Sequence, residues 1–386
     1  MRNTILQGDA LDQLRTLPDG CVQTCVTSPP YWGLRDYGVP GQLGLERTPA
    51  EYLARMVEMF AEVRRVLRAD GTCWVNMGDA YANDTKWGGA TGGKHVKALH
   101  GTAVGRSKRF TGLKAKDRIG MPWRLAFALQ EDGWWLRSEI TWCKPSPMPE
   151  SVTDRPTSAT EKIFLLTKSP RYYYDATAIM EPVTGGAHSR GRGITPKSYE
   201  PGHGIKANTS FHAAVNDLVS MRNKRDWWVV VSEPFPDAHF ATFPSKLIEP
   251  MILAGSSTQA CETCGAPWRR VIEAVGGTIG HSWHDHSNDL GNGQRVTDPN
   301  GKGNLRRSDY RRVERGWQAA CRCALNTGAA ASVVLDPFMG SGTVALVARQ
   351  WQRDYLGIEL NPAYIEMAER RLACVQPKLF ANGLAG

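Results

Sequence analysis

The chain has 386 residues, 41% of them hydrophobic and 22% charged, a balance that builds a full buried core and excludes a disordered polyampholyte. No apolar run approaches the roughly 20 residues that span a bilayer, and the opening MRNTILQGDALDQL has no signal-peptide core. An intracellular protein with no membrane partner is therefore expected. The nine cysteines and the net charge of +9 argue against a disulfide framework and for an anionic partner.

In chain order, a short strand is predicted over Thr4–Gln7, then a helix from Asp9 and a strand through Thr24–Ser28. Thr48-Pro49-Ala50-Glu51 has the form of a capping box with proline in the first turn. Leu53, Met56, Val57, Phe60, Val63 and Leu67 follow at helical spacing, so one face of that helix packs on a sheet. Asp70-Gly71 is expected to stop it, and Thr72–Met77 to form the next strand. A helix near Pro122–Glu131, a strand Trp134–Trp142 and another over Lys162–Thr167 come next. Near the C-terminus, strand Val333–Leu335 enters a glycine turn, a helix runs to about Trp351, strand Asp354–Glu359 follows, and a helix starts at Pro362. This strand–turn–helix–strand pattern belongs to a doubly wound, mostly parallel α/β sheet.

Three stretches lack apolar periodicity: 84–116, 185–208 and 276–303. They are too long for ordinary connections and read as functional loops or disordered segments. From Lys86 to Arg118, nine basic residues stand against one acid, Asp117, and a second basic segment runs from Lys302 to Arg315. Clustered cations of this kind suit a phosphate backbone.

Thr27-Ser28-Pro29-Pro30-Tyr31-Trp32 follows the apolar strand directly. Two prolines stop the ladder and fix a rigid turn at the strand's carboxyl end, the edge where open α/β sheets bind ligands. The turn offers the Ser28 hydroxyl, the Pro29 carbonyl and the Tyr31 ring. An exocyclic amine on a nucleobase has its lone pair delocalised into the ring. Two acceptors that each take one N–H free that pair for attack, while an aromatic ring stacks on the extruded base.

Asp336-Pro337-Phe338-Met339-Gly340-Ser341-Gly342-Thr343 is the second such turn. Its glycines let backbone approach a ligand, the helix N-terminus favours an anion, and the Asp336 carboxylate can hold an ammonium. Glu359, closing the next strand, is placed to accept from ribose hydroxyls. No cysteine follows a proline, so a Pro-Cys nucleophile for covalent attack on cytosine C5 is missing. Cys261-x2-Cys264 with Cys321-x-Cys323 has the form of a zinc ribbon, which points to a structural zinc outside the catalytic turn, with His281, His284 and His286 as substitute ligands.

Together the two turns, in this order, resemble the amino-methylating DNA methyltransferases in their permuted, beta-class arrangement. The resemblance implies a Rossmann-like fold and an enzyme that transfers methyl from S-adenosylmethionine to an amino nitrogen in double-stranded DNA by base flipping. Ser28, Pro29, Pro30 and Tyr31 match the catalytic motif. Asp336, Phe338, Gly340, Gly342 and Thr343 match the cofactor loop, Glu359 the ribose-binding acid, and Asp9 the adenine-contacting position. His239–Leu247 resembles the segment before the cofactor strand, which implies that Thr242, Phe243 and Pro244 border the methionine moiety. Trp142, Lys144, Arg155 and Pro156 resemble the region flanking the flipped base. Ser-Pro-Pro-Tyr leans to cytosine N4, with adenine N6 as the alternative and an RNA or protein amide as a further one. The resemblance also implies a prokaryotic or phage-encoded cytoplasmic protein, with a cognate restriction nuclease as a separate partner. The expected organisation is a catalytic half at 1–83 and 121–184, and DNA-contacting loops at 84–120 and 185–228. A cofactor half at 229–258 and 331–386 and a zinc-ribbon insertion at 259–330 complete it.

Overall fold

The computed structural model describes residues 2–33, 39–82, 111–182, 221–233, 243–275 and 311–376. The chain divides into two compact units, Met1–Ile179 with Arg225–Trp268 and Ala319–Gly386, and Met180–Lys224 with Arg269–Gln318. The larger unit is built on β1 (Thr4–Gln7), β2 (Val22–Thr27), β3 (Leu67–Met77), β4 (Trp135–Cys143), β5 (Thr160–Thr167), β8 (Trp227–Val229), β11 (Val333–Asp336) and β12 (Asp354–Glu359). They form one sheet in the order β1-β12-β11-β2-β3-β5-β4-β8. Every neighbouring pair is parallel except those of β5, which runs antiparallel between β3 and β4.

Alternate residues of the central strands enter two separate cores, as expected of a sheet buried on both faces. Cys25, Cys73, Val75 and Leu335 join one core with α1 (Ala10–Thr16), α2 (Pro49–Val66) and α3 (Met121–Glu131). Val26, Trp74 and Val334 join the other, with α4 (Ser245–Gly255), α5 (Thr343–Gln350) and α6 (Pro362–Ala373). At Gly255 α4 lies close against the sheet: a Cβ there would lie 2.6 Å from the hydroxyls of both Thr24 and Thr72.

Local chemistry explains most boundaries. Thr48 caps α2 by accepting from the Glu51 amide at 3.2 Å, and Glu51 returns the bond to the Arg47 amide at 3.0 Å. The helix ends sooner than Asp70-Gly71 suggests. Leu67 is already extended and pairs with Val22, so Asp70-Gly71 lies within β3, where the register slips between Val22 and Thr24. α4 was not expected, because Pro250 inside it reads as a helix stop.

In the smaller unit, β9 (Arg269–Val275) and β10 (Arg311–Gln318) pair antiparallel, and β6 (Glu181–Pro182) pairs with β7 (Met221–Arg222). The segment 259–330, expected as one insertion, is shared between the two units. Its two ends, 259–268 and 319–330, belong to the sheet unit, because Ala260 donates to Ala330 O at 2.6 Å and Ser332 to Ser257 O at 3.1 Å. No helix among the described residues is long and apolar enough to cross a membrane.

Candidate active site

β2 and β11 are parallel neighbours whose carboxyl ends share one rim of the sheet. The chain leaves β2 for helix α2 on one face and leaves β11 for α5 on the other. This reversal opens a crevice between the two turns. The Thr27 hydroxyl donates to Asp336 Oδ1 at 2.8 Å and ties the strand ends together. The resulting open cleft is lined by residues that include Asp9, Ser28, Pro30, Phe338, Gly340 and Glu359. The two turns picked out in the sequence, some three hundred residues apart, thus meet at one place.

The double-proline turn is held from several sides. Tyr52 donates to Pro30 O at 2.9 Å, Trp32 Nε1 donates to Glu46 O at 3.0 Å, and the Gly33 amide donates to Gly44 O at 2.9 Å. Pro29 is buried and Ser28 half-buried. Tyr31 donates to Glu161 Oε2 at 2.8 Å and accepts from Asn76 Nδ2 at 3.0 Å and from the Ser28 hydroxyl at 3.3 Å. Burial first, and the neighbouring Glu161 carboxylate second, hold the Tyr31 phenol well above its ordinary pKa.

In the glycine turn, Asp336 Oδ1 also accepts from the Phe338 amide at 3.1 Å. Burial, opposed by the bonds from Thr27 and Phe338, pushes the Asp336 carboxyl up to about 7. Glu359 is raised by burial too, while its two oxygens accept from the Gly340 amide at 2.7 Å and the Asn361 amide at 2.8 Å. Gly340 and Gly342 take φ of 51° and 79°, left-handed values that favour glycine. Asp9 caps α1 by accepting from the Leu11 amide at 2.9 Å and borders the cleft.

Other expected residues lie elsewhere. Thr343 Oγ1 accepts from Arg371 at 3.2 Å and is buried, and Gly342 packs on Ala368 of α6; neither is among the residues that line the cleft, nor are Pro29, Tyr31 and Asp336, which stand next to residues that do. Phe243 packs against the α4–α5 core. Thr242 lies outside the described residues, as do His281, His284, His286 and most of the basic stretch from Lys86. At the end of that stretch Lys114, Lys116 and Arg118 pair with Asp117, Asp154 and Asp79. Sequence reading missed Gln42, Leu43, Asn361 and Tyr364, which also line the cleft. It missed Asn76 and Glu161 behind Tyr31 as well.

The sulfurs of Cys261, Cys264, Cys321 and Cys323 all lie within 4.8 Å of one another. Tetrahedral zinc with bonds of about 2.3 Å places its sulfurs about 3.8 Å apart, so a small contraction would complete the site. Backbone amides of Thr263 and Cys264 turn towards the Cys261 sulfur, the arrangement of a metal knuckle. Glu262 joins the two hooks by accepting from the Thr327 and Ala329 amides at 3.1 and 2.9 Å.

Sheet order, lone antiparallel strand and cleft define the class, a doubly wound Rossmann-like fold of the methyltransferase type. PvuII DNA methyltransferase (cytosine-N4-specific) shares the fold at a TM-score of 0.50 and 16% identity, over 96% of this chain and 86% of that one. A family model described as DNA methylase, for N6 and N4 methyltransferases, matches residues 22–260 and 321–370. Type II methyltransferase M.Cfr9I of Citrobacter freundii is 40% identical over 96% of this chain and 87% of its own length. Type II methyltransferase M.SmaI of Serratia marcescens is 35% identical over 95% of this chain and 90% of its own. The chain belongs to this family of DNA amino-methyltransferases.

Proposed function

We propose that the chain is a site-specific enzyme that methylates an exocyclic amino nitrogen in duplex DNA from S-adenosylmethionine, with cytosine N4 as its target. The observation that carries this reading is the shared rim: Ser28 and Pro30 line the same cleft as Phe338, Gly340 and Glu359. S-adenosylmethionine, when bound, supplies an electrophilic methyl on a sulfonium. Glu359 would accept from the ribose hydroxyls, Phe338 would lie along the adenine or methionine, and Asp9 would border the adenine. Asp336, at the closed end of the glycine turn, would hold the methionine ammonium.

Ser28 and the Pro29 carbonyl would each take one N–H of the flipped base, and Tyr31 would stack on its ring. Rate would come from positioning and from fixed dipoles rather than from a covalent intermediate. The neutral Ser28 hydroxyl, standing where an Asp-Pro-Pro-Tyr turn has a carboxylate, supports cytosine N4 over adenine N6. Members of the family act on DNA, which supports that substrate over RNA or a protein amide. The bacterial sources of its relatives support a cytoplasmic protein, with any nuclease that cuts the same sequence as a separate protein.

Tritiated methyl transfer to duplex DNA tests the reading. Ser28→Ala should lower kcat about 100-fold, within the usual range for a lost proton acceptor, and leave cofactor affinity unchanged. Equal incorporation by both proteins would overturn the role of Ser28. Modified-base sequencing of host DNA would separate N4-methylcytosine from N6-methyladenine.

The same reading includes a structural zinc on Cys261, Cys264, Cys321 and Cys323. Next to these residues, Gly265 O accepts from Gln23 Nε2 at 2.8 Å and the Ala260 and Ser332 bonds lead into the start of β11, so the site would brace the rim opposite the cleft.

A further inference from the structure

Behind the double-proline turn lies a polar cluster assembled from four different strands or strand ends. Asn76 is on β3, Glu161 on β5, Lys144 follows β4, and Tyr31 follows β2. Glu161 Oε2 accepts from Tyr31 at 2.8 Å and from Asn76 Nδ2 at 2.8 Å, while Oε1 is ion-paired with the Lys144 ammonium. The Tyr31 ring lies against Gly78, where a Cβ would come within 2.8 Å of it.

The directions of these bonds are fixed by charge. Asn76 must present its NH₂, because its carbonyl would face the Glu161 carboxylate; Asn76 Oδ1 is then left buried and without a bond. Asn76 donates to Tyr31 Oη, so the phenol proton points to Glu161 and the phenol oxygen can only accept. Ser28 is therefore the donor in the 3.3 Å pair with Tyr31. Its lone pairs are left for an incoming N–H. A bond of that length is loose, and catalytic hydrogen bonds commonly tighten once substrate is bound.

We propose that Glu161 is a positioning residue: through Tyr31 it fixes the Ser28 hydroxyl as an acceptor for the target amine, and through the same chain it receives the proton that the amine loses. The inference rests on the methyl-transfer reading above. On transfer the S–CH₃ bond breaks with its electron pair left on sulfur, the N–CH₃ bond forms, and the amine nitrogen becomes cationic. That nitrogen gives one proton to Ser28 Oγ, the Ser28 proton moves to Tyr31 Oη, and the Tyr31 proton moves to Glu161 Oε2. The products are a neutral N-methylamine, a thioether and a protonated Glu161, which returns its proton to water after product release.

The test is single-turnover and steady-state methyl transfer to duplex DNA by the full chain and by Glu161→Gln, Tyr31→Phe and the double variant, with S-adenosylmethionine affinity by calorimetry. Glu161→Gln should lower kcat about 100-fold, with KM for DNA and cofactor affinity within threefold of the parent. The double variant should be no slower than the slower single, because both substitutions cut one chain. A residue that merely braced the sheet would instead lower the melting temperature and give losses that multiply. Multiplying losses, or Glu161→Gln within threefold of the parent, would overturn the proposal. Should Glu161→Gln fail to fold, Tyr31→Phe decides: a kcat loss at unchanged KM supports the relay, and a KM effect alone ends it. No transfer to DNA by the parent chain would instead refute the methyl-transfer reading itself.

Discussion

Asp336 is 2% exposed and its carboxyl is pushed up to about 7 by burial. A carboxyl raised above its unfolded value of about 3.9 favours the folded state in its protonated form. Its contribution is fully present below about pH 4 and is lost as pH rises through 7, on the order of 4 kcal/mol across that window. Urea unfolding at pH 5.5 and 8 should show the wild type more stable at the lower pH, and Asp336→Asn should flatten that difference. An ammonium docked on Asp336 would also drive its proton off, so S-adenosylmethionine binding at pH 6.5 should release protons in the wild type only. Equal slopes in the two proteins would remove Asp336 from the role assigned to it. Residues of this kind were legible in the sequence because Ser28, Asp336 and Glu359 sit in contiguous turns at strand ends. Glu161 was not: in Thr160–Thr167 it reads as the polar entry to an ordinary strand, and its partners Tyr31 and Asn76 are 130 and 85 residues away. The partner of Thr343 was equally hidden, since Arg371, which donates to its hydroxyl, lies 28 residues further on.

Among the elements, the strands and helices with unbroken periodicity were visible from residue order alone, including β1 and β12 to their end residues. α4 was hidden by Pro250. The extent of β3 was hidden because Asp70-Gly71 looks like a turn, and only the pairing of Leu67 with Val22 places the segment in the sheet. The cysteine hooks were legible as a pair of motifs, but not their anchorage, which runs through Gln23 to Gly265 O and through Glu262 to the Thr327 and Ala329 amides. Metal analysis should find one zinc per chain. Cys264→Ser or chelation should lower the melting temperature while leaving cofactor affinity intact at temperatures below the melt, because the hooks stand at the far rim from the cleft. A protein that carries no zinc and is indifferent to chelators would sink the metal assignment.

Across the whole molecule the net charge of +9 predicts how DNA is held. Neutralised phosphates release counterions, so a protein with several phosphate contacts loses affinity steeply with salt. Raising salt from 50 to 200 mM should raise KM for DNA at least tenfold and leave the affinity for S-adenosylmethionine nearly unchanged. A flat response would mean that the positive charge serves another purpose. Composition and motif order disclosed the fold class and the meeting of the two turns, but not the partition into units: the cysteine hooks mark both ends of the 259–330 segment, and only the bond from Ala260 to Ala330 O shows them tied to the sheet unit. The same topology bears on how the molecule is made. Among the described residues β1 pairs with β12 alone, so it waits some 350 residues of synthesis for its neighbour. β2 likewise lacks β11 on one side until late in synthesis. A nascent chain that stops short of β11 has the double-proline turn but not the glycine turn, so the crevice between them forms only once both strands have been made and paired.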